Sequence, residues 1–152
     1  MVLTKTFAPE TFAEALESWS WLPIADTVPV LATVFGDVFL QDTEGYWFLD
    51  SLEGKLVKVA PNRDELTSVL NTPEGQDRFL LAGLAQAAEA EGMKLQASEV
   101  LDFTKPPVLG GQLEVGNLAP KDFVVSLNIA GQIHDQVRNL PPGTKISNIK
   151  IG

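Results

Sequence analysis

A lone histidine, His134, limits what this sequence of 152 residues can catalyse. Two-histidine metal sites are out of reach, and any hydroxyl nucleophile activated by an imidazole would have to recruit this one side chain. With no cysteine in the chain, thiolate nucleophiles, disulfides and Cys-ligated metals are excluded as well. His134 shares a helical stripe with Ala130 and Val137, so its spacing points to a packed helix residue rather than to a base or ligand.

The carboxylates offer a second chemistry. Asp37, Asp50 and Glu53 fall in neighbouring turns, where a pair could do acid–base work or hold a divalent cation. The preference of aspartate for turns accounts for the same residues without any site. Asp42-Thr43-Glu44-Gly45 resembles the start of a calcium loop, but an EF-hand spreads its ligands over about twelve residues between two helices. Here the run lies between strand-like segments. The 12 glycines form neither GxGxxG nor GxxxxGKS/T, so no phosphate cradle is in view. No metal and no cofactor is expected. Trp19, Trp21, Tyr46, Trp47 and Phe48 are candidates for an interface patch or, for most of them, for core contacts between the first helix and the strands.

Acidic residues outnumber basic ones 20 to 11, for a net charge of −9. Such a surface repels nucleic acid and anionic membrane and draws cationic partners, although acidity also serves solubility. Hydrophobic residues at 45% and charged residues at 20% are ordinary globular usage, and the length suits a single domain over 1–152. No apolar run approaches the ~20 residues of a membrane span, and the opening MVLTKTFAPETF lacks the pattern of a signal peptide. A cytoplasmic location is therefore expected.

The elements that must position these residues follow from periodicity and punctuation. Pro9 opens a helix over 9–19 with Phe12, Leu16 and Trp19 on one stripe and Glu10, Glu14 and Glu17 stacked at i, i+4, i+7 on another. Four short runs, 30–35, 38–41, 46–50 and 55–60, are separated by glycine-containing turns, which predicts an antiparallel meander within 28–60. Asn62 with Glu65 forms a capping box for a short helix, and Thr72-Pro73 opens a second that runs to Gly92. Beyond it, short strands are expected at 99–103 and 112–116, a long helix from Pro120 to about Asn139, and a last strand over 144–151. The fold class is thus α+β: a meander of about four strands packed against three or four helices.

Several phrases stand in an order that resembles a known bacterial family: FGDVFLQDTEGYWFLDSLEGKLVKVA (35–60), NTPEGQDRFLL (71–81), PPVLGGQLEVGNL (106–118) and IAGQIHDQVRNLPPGTKI (129–146). The more specific pieces are Leu109-Gly110-Gly111, Gly131-Gln132-Ile133 and Leu140-Pro141-Pro142-Gly143-Thr144. They are similar to the C-terminal domain of immunity proteins against DNase effectors of the type VI secretion system, long catalogued as a domain of unknown function. The helix at 9–19 resembles the last part of a glutamate-tRNA-ligase-associated-like segment that precedes that domain in longer members. The resemblance implies a cytoplasmic, non-enzymatic protein that binds a cognate toxin, suspected to be a basic nuclease, and it carries over no catalytic set.

Three classes of function remain in view. As a toxin-binding module the chain would use acidic and loop residues: the ridge Glu10, Glu14 and Glu17, the turn acids Asp42, Glu44 and Glu53, and the loop Leu109, Gly110, Gly111 and Gln112. As a regulatory or scaffold module it would offer its last strand to another chain. As a small carboxylate- or metal-dependent hydrolase it would use the acids at the meander turns.

Overall fold

The computed structural model describes residues 1–146 and 148–152. Its framework is an antiparallel sheet in the order β1-β2-β3-β4-β5, with β1 at Thr4–Lys5, β2 at Val28–Thr33, β3 at Val38–Asp42, β4 at Gly45–Asp50 and β5 at Lys55–Ala60. The expected meander of four strands is present, and β1 adds a fifth at its edge through Thr4 opposite Thr33 and Lys5 opposite Ala32. Two residues carry too little pattern to announce a strand. Gly36 and Gly54, at φ 90 and φ 68, supply the left-handed residues that close the β2–β3 and β4–β5 connections.

Central strand β3 is buried on both faces, and alternation sorts its residues. Val38 and Leu40 join Ala32 and Leu49 under helix α1 (Pro9–Leu16) and helix α5 (Phe123–Val137), in a cluster with Phe12, Trp19, Phe123 and Leu127. Phe39 points the other way, onto Phe48, Leu66, Phe79 and Leu80, beneath α2 (Arg63–Leu70) and α3 (Pro73–Leu80). Helices on both faces explain why the meander reads as a run of hydrophobic residues rather than as clean alternation. A third cluster seats α4 (Ala82–Ala90), through Ala85 and Ala88, on a two-stranded sheet of β6 (Glu99–Phe103) and β7 (Leu118–Asp122), through Leu101, Phe103 and Leu118.

The structure corrects four sequence expectations. The helix read over 72–92 breaks at Leu81, which takes φ 47 and ψ 49 and separates α3 from α4. Phe79 and Ala88 are nine residues apart, about two and a half helical turns, so an unbroken helix would aim them at opposite sides. The break lets both be buried, each in its own cluster.

The strand expected at 112–116 lies instead at β7, and residues 111–114 form an irregular loop leading into a 3₁₀ turn, Val115–Asn117, tied by the Asn117 side chain. The Asn117 amide donates to the carbonyls of Lys105 at 2.9 Å and Gln112 at 3.0 Å and accepts from the Lys105 amide at 2.9 Å. The helix expected from Pro120 begins at Phe123, where Asp122 caps it by accepting from the Val125 amide at 3.2 Å. Pro120 is in β7 opposite Leu101, on an edge that tolerates its missing donor. The last strand expected over 144–151 is not a strand among the described residues; Ser147 lies outside them.

No helix among the described residues is long and apolar enough to cross a membrane.

Candidate functional site

Helix α5 packs against α1 and the turn Glu17–Trp19 through its narrowest residue. A Cβ at Gly131 would collide with the hydroxyl and carbonyl of Ser18 and with the Trp19 indole nitrogen. That close approach lets Trp19 Nε1 donate to the Leu127 carbonyl at 2.9 Å and Ser18 Oγ donate to the Asn128 carbonyl at 2.7 Å. Trp19, Tyr46 and Phe48 are buried, as the core reading had it, while Trp21 and Trp47 are half-buried. Arg138 covers the Trp21 ring at 5.0 Å and Lys58 the Trp47 ring at 5.9 Å.

With α5 anchored on that side, its other flank forms one wall of a cleft of about 300 Å³. Ile129, Ala130, Ile133 and His134 supply the wall, the β4–β5 turn supplies Ser51 and Leu52, and β6 with the loop after it supplies Phe103, Val108 and Leu109. Ile149 and Ile151 close the remaining side. The lining is mainly apolar; among its polar members, Ser126 Oγ donates to Asp102 Oδ1 at 2.6 Å, and Lys121 Nζ stands 3.7 Å from the other carboxylate oxygen. A mainly apolar hollow with a few fixed polar groups is the usual form of a binding site.

Ser51 and His134 of the cleft wall, with Asp37 bonded to Ser51, are all buried and have the composition of a hydrolytic triad with different wiring. Ser51 Oγ donates to Asp37 Oδ1 at 2.6 Å, the Ser51 amide donates to the same oxygen at 2.8 Å, and Thr33 Oγ1 donates to Asp37 Oδ2 at 2.9 Å. His134 Nε2 meets the Ser51 carbonyl at 2.8 Å. A carbonyl only accepts, so Nε2 carries the proton and cannot take one from the hydroxyl. A nucleophile needs its hydroxyl hydrogen-bonded to the base; here the hydroxyl is committed to a carboxylate and the base to main chain.

Burial raises Asp37 to about 6, opposed by its Ser51 and Thr33 hydrogen bonds and reinforced by nearby Asp50. Burial also lowers the His134 imidazole below its ordinary value, against the opposite pull of the Ser51 carbonyl. The trio staples the β2–β3 connection, the β4–β5 turn and α5 together. The helix-packing role read for His134 fits its burial against Trp19, at 5.7 Å between ring centroids.

The sequence-derived candidates are scattered. Glu10, Glu14 and Glu17 are exposed along α1 and the turn after it. Asp42 and Glu44 sit in the β3–β4 hairpin, where Asp42 Oδ1 accepts from the amides of Glu44 at 2.8 Å and Gly45 at 3.1 Å. Glu53 is at the other end of β4, about 17 Å away by strand rise, and is paired with Lys55 at 2.8 Å. Asp50 caps its turn by accepting from the amides of Leu52 and Glu53, each at 3.0 Å. Among the described residues no three acidic or histidine side chains come together as a ligand set.

Leu109 reaches the cleft, and Glu53 belongs to the turn that borders it. Gly110 takes φ 96, and the Gly111 amide donates to the Pro106 carbonyl at 3.0 Å, so these glycines, with Gln112, shape the loop rather than line the cleft. Sequence reasoning missed Ile149 and Ile151. Their i, i+2 spacing was the available signal, and it reads equally well as a strand.

No family model matches the chain, and no curated protein matches it by sequence. Among solved structures it is similar to Atu4351 from Agrobacterium tumefaciens, at 19% identity and a TM-score of 0.55. The alignment covers 86% of this chain and 66% of that one, so the chain spans just under two-thirds of its neighbour's length. At that identity the likeness shows the α+β fold alone.

Proposed function

We propose that this chain is a non-catalytic protein-binding domain that acts as an immunity protein, capturing and neutralising a cognate type VI secretion toxin of basic, nuclease character. The observation that carries the reading is the apolar cleft flanked by the 106–112 loop, one of the phrases in which the sequence resembles that family. Net charge −9, with exposed carboxylates at Glu10, Glu14, Glu17 and Glu44, steers a cationic partner toward the surface. Desolvation of one apolar anchor in the cleft then supplies the short-range energy that exposed charges do not. Meanwhile the Ser51 hydroxyl is bonded to Asp37 and His134 Nε2 to main chain, so serine and imidazole are not wired as nucleophile and base, which supports binding rather than turnover.

The direct test is co-expression with the product of the adjacent gene, scored by growth and by co-purification. Rescue of growth together with a stable complex is the expected outcome. A neighbouring product that is harmless when expressed alone would remove the toxin from the proposal. Turnover of any substrate by the pure chain, lost on His134→Ala or Asp37→Asn, would contradict its non-catalytic part.

A further inference from the structure

Segment 148–152 lies against α5 without belonging to a sheet, and its seat shows what that surface reads. Gln136 Nε2 donates to the Lys150 carbonyl at 2.6 Å and Gln136 Oε1 accepts from the Lys150 amide at 2.9 Å, so one side-chain amide makes both bonds of a strand partner. One turn earlier, Gln132 Oε1 accepts from the Gly152 amide at 2.8 Å while its Nε2 is held by Asn128 Oδ1 at 2.7 Å. Two glutamines four residues apart on α5 thus present a pre-set template for extended main chain. Ile149 and Ile151 face the cleft, and Lys150 between them is exposed.

The segment fills this seat incompletely. Ile151 is 49% exposed, and about 300 Å³ bounded by Ile129, Ile133, Val108 and Leu109 is left open beside it. We propose, on the protein-binding reading above, that the cleft is the docking groove for an extended segment of the bound protein with apolar residues at i and i+2 around a cation, and that residues 148–152 hold its place until that segment displaces them. Backbone bonds to the glutamines supply sequence-independent affinity, and the cleft selects the alternate side chains, a division of labour that strand-addition interfaces achieve with a sheet edge in place of the glutamines. The intervening cation matches the net charge of −9. A larger apolar side chain than isoleucine fills the open volume, which gives the incoming segment its advantage over the resident one.

The test uses the full-length chain and a fluorescein-labelled peptide with the sequence of residues 145–152, followed by anisotropy. The tethered segment competes at an effective concentration on the order of millimolar, so a peptide of roughly 100 μM intrinsic affinity binds the native chain about tenfold more weakly than a chain whose own segment is released. Ile149→Asp/Ile151→Asp is expected to bind the peptide at least about tenfold more tightly than the native chain. Adding Gln136→Leu should reverse most of that gain, and a peptide with serine at both isoleucine positions, of unchanged charge, should not bind. If circular dichroism shows the double variant unfolded, Ile151→Asp alone, at a half-exposed position, is expected to give the same ranking.

Equal affinity of variant and native chains, or no binding to a folded variant, overturns the proposal. Concentration-dependent dimerisation of the native chain in sedimentation also overturns it, because the groove then belongs to a second copy. Pure chain and peptide suffice, so the result is independent of growth rescue: a competent groove without rescue removes the toxin and keeps the groove.

Discussion

Asp37 is a carboxylate enclosed by the fold, and its surroundings fix the sign of its pH dependence. Its folded value of about 6 lies above the ordinary 3.8, so its contribution to stability is full below 3.8 and is lost as pH rises through about 6. His134 acts oppositely: lowered below 6.5, it stabilises above that value and loses its contribution as pH falls. In Asp37→Asn the first effect vanishes, so relative to the native chain the variant should gain stability from pH 4 to pH 7 by about 2 kcal/mol, read from urea midpoints. The tilt is the readout, not the absolute value. Thr33 Oγ1 already accepts from the amides of Phe35 and Asp37, so the new Asn NH₂ meets a saturated acceptor and pays a constant cost at every pH. A flat difference across that range would show that Asp37 is ionised throughout. The packed role of His134 was legible from its helical spacing, whereas its bond to Ser51 joins residues 83 apart in sequence and no local pattern announces it.

Between elements, the seam of α1 and α5 depends on the missing side chain of Gly131. Gly131→Ala should cost about 1–3 kcal/mol by overpacking and loosen the Trp19 bond to Leu127, seen as a lower urea midpoint and red-shifted tryptophan emission. Gly83→Ala is the matched control: Gly83 is exposed on α4, a Cβ there meets nothing within 4 Å, and the change should stabilise by about 0.4–1 kcal/mol. Equal effects at the two positions would dissolve the seam argument. The meander was legible at this scale because glycine turns punctuate β-rich runs. The break at Leu81 was not, since leucine carries no signal for a left-handed backbone and the alanine-rich run continues through it. Leu118–Asp122 runs without a break into Phe123-Val124-Val125, whose β-branched residues suit strand or helix; pairing with β6 decides where one ends.

Across the whole molecule, the protein-binding proposal assigns charge and cleft to different ranges, and salt separates them. Raising ionic strength from about 0.05 M to 0.5 M shortens the screening length severalfold, so association with a basic partner should slow by at least about tenfold while dissociation changes little. An association rate indifferent to salt would leave the acidic surface to solubility alone. The acids were legible as exposed residues, but their dispersal over α1, the β3–β4 hairpin and the β4–β5 turn was not, because it depends on strand order. The cleft escaped notice for the same reason: its walls come from residues 35 to 151. The lid over one sheet face is equally non-local, with Ser18 bonded to Asn128 across 110 residues. A ribosome must therefore release nearly all of α5 before Leu40 and Leu49 find their cover, so this face of the sheet waits on a helix that begins only at Phe123.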